Sequence, residues 1–282
     1  MNWKLRSLSL SLDSPVIMGV LNVTPDSFSD GGVLASVGDA VTRGLSMVEE
    51  GAAIVDVGGE STRPGADPVD VEEELGRVLP VIERLSSEGV VVSVDTRKPE
   101  VARISCLAGA EIINDVNGLA DPLMREVAAN TGAGVVIMHM QGEPQTMQDD
   151  PTYENVTPEV IDFLAERADL AVDEGVNRES ICVDPGIGFG KTVEHNLEIL
   201  ARLDEFQTLR LPIMLGTSRK RFLGAVLGIE EPVMRDHATA VTVAMGVAAG
   251  ARVFRVHEVA PSLEAARLAW AIVSHKRPTE IS

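Results

Sequence analysis

Short apolar runs rich in Val and Ile recur eight times along this chain, and nearly every run ends on a polar residue. They span 16–21, 53–57, 90–94, 112–113, 135–138, 181–183, 213–215 and 253–256. Runs this short, bounded by polar loops, read as strands covered on both faces, which is how parallel sheets are built. Between them lie segments with apolar residues at helical spacing. In 71–85, Val71, Leu75, Val78, Leu79, Ile82 and Leu85 share one face, and 157–172 and 237–249 read the same way. Pro99, Pro122 and Pro158 fall just inside helix starts, where a missing N–H breaks no bond. Strand runs alternating with helices predict a parallel α/β fold. Eight such units within 282 residues favour a closed (β/α)8 TIM barrel over a doubly wound open sheet. No low-complexity linker divides the chain, so one barrel domain over 1–282 is expected. Alternation across 8–12 predicts a short N-terminal strand or hairpin ahead of it.

Composition narrows the partners. The chain carries 43 acidic against 24 basic residues, a formal net charge of −19. Nucleic acid and anionic membrane surfaces both require a basic face, so neither is expected as a partner. Only five of the basic residues are Lys, a balance that also fits adaptation to salt. Aromatics make up 3%, leaving Val, Ala, Leu and Ile to fill the core. Cys106 and Cys182 are far apart and lack metal-ligand spacing, which predicts two reduced buried thiols in a cytoplasmic protein. No apolar run approaches the roughly 18 residues of a membrane helix, and the N-terminus has no signal-peptide pattern.

Chemistry on a barrel gathers at the C-terminal ends of the strands. Here those ends carry Asn22, Asp56, Asp95, Asn114 with Asp115, His139, Asp184, Gly216 through Lys220, and Arg255 with His257. A single Asp or Asn after a strand commonly caps the next helix. A ring of them is harder to explain that way. Asp95, Asn114 and Asp184 offer acceptors and amide donors suited to a flat heterocycle bearing an amino group and ring N–H groups, such as a pterin or purine. Arg63, Lys220, Arg255 and His257 are donors suited to an anion. Together they imply a phosphorylated heterocycle.

The motifs at these ends resemble those of the dihydropteroate synthases of folate biosynthesis, in their bacterial form. They are MGVLNVTPDSFSDGG from Met18, DVGGESTRPGAD from Asp56, VDTRKPEVA from Val94, NDVNG from Asn114, MHMQGEPQTMQ from Met138, DPGIGFGK from Asp184, GTSRKRFLG from Gly216 and RVH from Arg255. The resemblance runs from Val16 to about Val273. It implies a (β/α)8 barrel, a homodimer, and Mg²⁺ bound with a diphosphate. It also implies a reaction: 6-hydroxymethyl-7,8-dihydropterin diphosphate condenses with 4-aminobenzoate, and dihydropteroate and pyrophosphate leave.

Site residues follow from the same resemblance. Asp95, Asn114 and Asp184 correspond to ligands of the pterin edge, Lys220 reaches the ring, and Met138 and Phe189 form apolar walls. Asn22 matches the Mg²⁺ position. Arg255 and His257 match the anion-binding end. Thr62, Arg63 and Pro64 fall in one loop and Asp26 and Phe28 in another. With Ser218 and Arg219, these loops cover the diphosphate and complete the aminobenzoate pocket. Catalysis falls to Asp95, Asp184, Lys220, Arg63 and Arg255. The implied mechanism is an ionising displacement, with carboxylates stabilising the pterin cation and cationic groups the leaving pyrophosphate. Glu60 reads as a group that fixes loop geometry, and His139 as a ligand or a structural hydrogen-bonding group. Two other readings share the pterin residues: a corrinoid-type pterin-binding methyltransferase and a catalytically silent pterin-binding barrel. Neither calls for Asn22, Arg63, SRK and RVH together.

Overall fold

A computed structural model of the chain describes residues 1–24, 36–61, 68–143 and 145–275. Asp26, Phe28, Thr62, Arg63 and Pro64 lie outside the described residues.

The eight runs form eight parallel strands: β3 (Val16–Asn22), β4 (Ile54–Gly58), β5 (Val92–Asp95), β6 (Ile112–Asp115), β7 (Gly134–Met138), β8 (Ile181–Asp184), β9 (Met214–Leu215) and β10 (Val253–Val256). Their order, β8-β7-β6-β5-β4-β3-β10-β9, follows the chain around a ring. The ring closes where Val183 bridges Ile213 in parallel and its N–H donates to the Pro212 carbonyl at 2.9 Å. The expected barrel is therefore present.

Helices separate the strands: α1 (Val37–Glu49), α2 (Val71–Ser87), α3 (Pro99–Leu107), α4 (Pro122–Thr131), α5 (Val156–Asp173), α6 (Val193–Ala201), α7 (Arg221–Leu227), α8 (Asp236–Ala248) and α9 (Val259–Ser274). Their starts are chemically marked. The Asp70 side chain accepts from the Glu73 N–H at 2.8 Å and Asp121 accepts from Leu123 at 2.8 Å, while Pro99 and Pro122 open α3 and α4. Each device satisfies or removes an orphan N–H.

Strand alternation divides the interior. Ile17, Val55, Ile113, Val135, Val183 and Phe254 join the large core between barrel and helices. Their neighbours Met18, Ile54, Ile112, Val136, Cys182, Met214 and Val253 form a second core inside the barrel. That inner core is sealed from below by an antiparallel hairpin, β1 (Asn2–Lys4) with β2 (Ser9–Ser11). Trp3 is fully buried in it, and its indole N–H donates to the Ser180 carbonyl at 2.8 Å. The expected short N-terminal hairpin is thus the barrel's bottom plug. Cys106 and Cys182 are both buried and free. Burial pushes the Cys106 thiol up to about 11. Among the described residues, no helix is long and apolar enough to cross a membrane.

Candidate active site

Side chains along a strand alternate faces with a period of two. Two residues beyond the inner apolar layer, the same face carries Asp56, Asn114, Met138, Asp184, Gly216 and Arg255. In register, Asp95 on β5 pairs with Asn114 on β6, and Met138 on β7 with Asp184 on β8. One apolar layer therefore forms the floor of a polar layer at the C-terminal end of the barrel. Gly58 and Gly216 add no side chain at this end of the barrel. A Cβ at Gly58 would stand 3.5 Å from the Asp95 Cβ and 3.6 Å from Asn22 Oδ1. One at Gly216 would stand 3.5 Å from Asp184 Oδ2.

Arg255 organises this layer. Its Nε donates to Asp56 Oδ2 at 2.6 Å and its Nη2 donates to Asp95 Oδ2 at 2.5 Å. Burial pulls the guanidinium pKa down, but the two carboxylates outweigh it and hold the group above its ordinary value. Arg255 was expected to act as an anion donor; here two of its donor atoms are spent on carboxylates. Asp56 also accepts from Asn114 Nδ2 at 3.1 Å. Among the described residues, the other oxygens, Asp56 Oδ1 and Asp95 Oδ1, are buried and meet no hydrogen-bond donor. Leaving a buried acceptor unmet costs about 1–3 kcal/mol, so such oxygens mark a place prepared for donors from a ligand.

Asp95 sits in conflict. Burial, against the pull of Arg255 and with the repulsion of Asp56, raises its pKa from 3.8 to about 7. Burial likewise raises Asp184, opposed by Lys220 and by the Gly186 N–H, which donates to Asp184 Oδ1 at 2.7 Å. Lys220 precedes α7, where the helix dipole disfavours a cation. Its side chain turns away from that end. The ammonium donates to the Ile187 carbonyl and lies 4.5 Å from the centre of the Phe189 ring. Burial lowers its pKa to about 8, against the attraction of Asp184. Asp95, Asn114, Asp184, Lys220, Met138 and Phe189 are thus brought together at one end of the barrel.

The loop after β8 is shaped by glycines. Gly186 has φ +68, and a Cβ there would stand 1.8 Å from the His139 carbonyl oxygen. Gly190, at φ +59, approaches the Gln141 carbonyl in the same way. Lys191 then ties the loop down. Its buried side-chain nitrogen, whose pKa burial holds well below the ordinary lysine value, meets His139 Nδ1 at 2.8 Å and donates to the Gly186 and Phe189 carbonyls, each at 3.0 Å. Burial, reinforced by Lys191, pushes the His139 imidazole down to about 2, so it stays neutral and can accept from the Lys191 nitrogen. His139 is therefore a structural hydrogen-bonding group. Sequence reading gave Lys191 no part; its only signal was its place at the end of DPGIGFGK.

The remaining residues take other positions. Ser218 Oγ is 2.9 Å from His257 Nδ1 and accepts the His257 backbone N–H at 3.1 Å. Arg219 has φ +59 and is turned onto Asp236, at 2.7 and 2.8 Å, and onto Glu258, at 2.8 Å. Those carboxylates hold its guanidinium in an ion-pair network. Asp115, also at a strand end, caps its own loop by accepting from Asn117 and Leu119. Glu60 is held by Arg97 and Lys98, and Lys98 also reaches Glu74. The structural reading of Glu60 therefore holds. Asn22 ends β3 near Gly58 and Asp95. Among the described residues no group of three or more His, Cys, Asp or Glu forms a metal cage.

The chain matches the pterin binding enzyme family across residues 18–257. It is 48% identical over 274 residues to the dihydropteroate synthase of Escherichia coli strain K12, covering 96% of each chain. Among solved structures, Yersinia pestis dihydropteroate synthase in a sulfonamide drug complex gives a TM-score of 0.93 at 41% identity, over 97% of this chain and 100% of the other. Xanthomonas albilineans dihydropteroate synthase with 4-aminobenzoic acid gives 0.91 at 43% identity, over 98% of this chain and 100% of the other.

Proposed function

This chain belongs to the dihydropteroate synthases, a family of pterin-binding enzymes, and from that membership we infer that it joins 6-hydroxymethyl-7,8-dihydropterin diphosphate to 4-aminobenzoate. The products are 7,8-dihydropteroate and pyrophosphate, and the enzyme is a transferase. The observation that carries this reading is the buried acceptor set Asp95, Asn114 and Asp184 closed by Lys220 and Arg255. A methyl transfer from a reduced folate would have no leaving diphosphate for the RVH and SRK ends to meet.

The chemistry follows from what the side chains offer. Asp95, Asn114 and Asp184 accept from the amino and ring N–H groups of the pterin. Lys220 donates to the ring from the side of Phe189. The bond between the pterin methylene and the diphosphate oxygen breaks with its electron pair leaving on pyrophosphate. The ring shares the positive charge, and the carboxylates of Asp95 and Asp184 face it as it develops. The aminobenzoate nitrogen then bonds the methylene and releases its proton. Arg63 and His257, with Arg255, are assigned to the departing anion. Thr62, Pro64, Phe28, Ser218 and Arg219 are assigned to the aminobenzoate side.

Asn22 suits Mg²⁺. It supplies one hard oxygen donor at a strand end, and no acidic cage competes for the ion among the described residues. Mg²⁺ takes few protein ligands and keeps waters, so diphosphate oxygens would complete its shell. When bound, it supplies charge neutralisation at the leaving group.

A homodimer is the proposed assembly. Val241 and Met245 stand exposed one turn apart on α8, and Leu268 and Ile272 one turn apart on the neighbouring α9. Exposed apolar stripes on adjacent helices support an interface. The buried free thiols support cytoplasmic residence.

Purified protein with Mg²⁺, the dihydropterin diphosphate and 4-aminobenzoate should form dihydropteroate and pyrophosphate together. A sulfonamide should inhibit competitively against 4-aminobenzoate. Absence of product with both substrates and metal would overturn the assignment.

A further inference from the structure

We propose that Asp56 is a positioning residue that decides which end of the Asn114 amide meets the pterin and which donors of Arg255 meet its diphosphate. The inference rests on the dihydropteroate synthase reading and adds to it a residue that acts through Asn114 and Arg255. Asp56 is fully buried on β4, on the inward face two residues beyond Ile54. Its Oδ2 is the shared acceptor of two bonds, from Asn114 Nδ2 at 3.1 Å and from Arg255 Nε at 2.6 Å. An Asn side chain has one donor end and one acceptor end. Because Nδ2 is committed to Asp56, Asn114 presents Oδ1 as an acceptor, the polarity a ring N–H requires. Without Asp56 the amide is free to invert and present a donor to that N–H.

The second consequence concerns Arg255. Asp56 and Asp95 hold it from two sides through different nitrogens, Nε and Nη2. A guanidinium gripped at two points has a fixed plane, so its remaining donors point in one direction. Loss of Asp56 leaves Arg255 paired to Asp95 alone. Arg255 then swings about that contact, and the pairing it leaves behind occupies the oxygens that Asp95 offers to substrate. One buried carboxylate thus sets the orientation of two ligand-facing groups on two other strands.

The test compares wild type, Asp56→Ala, Asp56→Leu and Asp56→Asn, alone and in an Asn114→Ala background, by KM and kcat for each substrate. Asp56→Ala should raise KM for the dihydropterin diphosphate about tenfold or more, as expected for lost bonds to charged groups, with KM for 4-aminobenzoate little changed. Asp56→Asn places an amide oxygen where Oδ2 stands and should recover most of the loss. Asp56→Leu fills the same volume without an acceptor and should recover none. In the Asn114→Ala background the effect of Asp56→Ala should shrink to about threefold or less, the mark of coupled residues. If Asp56→Ala does not fold, the Asn and Leu variants carry the comparison, with thermal melts showing that both are folded. Equal kinetics for Asn and Leu variants, or an undiminished effect without Asn114, would overturn the proposal. Failure of the wild type to make dihydropteroate would instead overturn the function on which it rests.

Discussion

Asp95 is a carboxylate placed where charge is disfavoured, and Lys220 an ammonium in the same position. Burial raises the first to about 7 and lowers the second to about 8. Both must be charged to serve the proposed chemistry, so their working window is narrow. We predict a bell-shaped pH dependence of kcat/KM for the pterin substrate, with an acid limb near 7 and a basic limb near 8. Asp95→Asn should remove the acid limb along with most of the activity; a flat profile across this range in wild type would exclude these assignments. The same shift touches stability. Between pH 3.8 and about 7 the folded chain keeps a proton on Asp95 that the unfolded chain has released. That contribution is full below 3.8 and is lost as pH rises to about 7. The site therefore costs stability at the pH where it works, as buried functional charges do.

At the scale of elements, two segments hold the site from opposite ends. The hairpin of β1 and β2 plugs the barrel bottom with Trp3, which shares a buried cluster with Ile112, Val136 and Cys182 in the layer beneath the polar ring. Trp3→Ala opens a cavity there and should cost about 3–5 kcal/mol in urea unfolding, while kcat in the folded fraction stays near wild type because no ligand group moves. The loop after β8 behaves differently. Gly186 lies in the left-handed region against the His139 carbonyl, so any side chain forces the loop off β7. Gly186→Ala should raise KM for the pterin substrate with only a modest shift in melting temperature, since the loop presents Phe189 and the Ile187 carbonyl to Lys220. Unchanged KM would show that Lys191 alone holds the loop.

At the scale of the molecule, the −19 charge and the apolar stripes on α8 and α9 pull in opposite directions. Self-repulsion favours separate chains, and burial of Met245, Val241, Leu268 and Ile272 favours pairing. We expect burial to win. Light scattering should give twice the 30.0 kDa chain mass, and Met245→Glu should give the monomer; a monomeric wild type at micromolar concentration would exclude the dimer.

Much of this protein was determined by sequence alone. Eight apolar runs, nearly all ending on a polar group, call for a parallel sheet covered on both faces, and eight such units in 282 residues favour its closure into a barrel. The period of two then dictates that Asp95, Asn114 and Asp184 follow the inner layer onto one end. What sequence could not decide was pairing. Asp56 stood among the strand ends as one acid of several, and Lys191 as the last letter of a glycine motif. Their importance comes from contacts across 58 and 199 positions, for Asp56 to Asn114 and Arg255, and across 52 for Lys191 to His139. Only closure of the ring brings those strands within hydrogen-bond reach. Once they meet, burial decides which charges must share partners, and that sharing aims Arg255, orients Asn114 and holds His139 neutral.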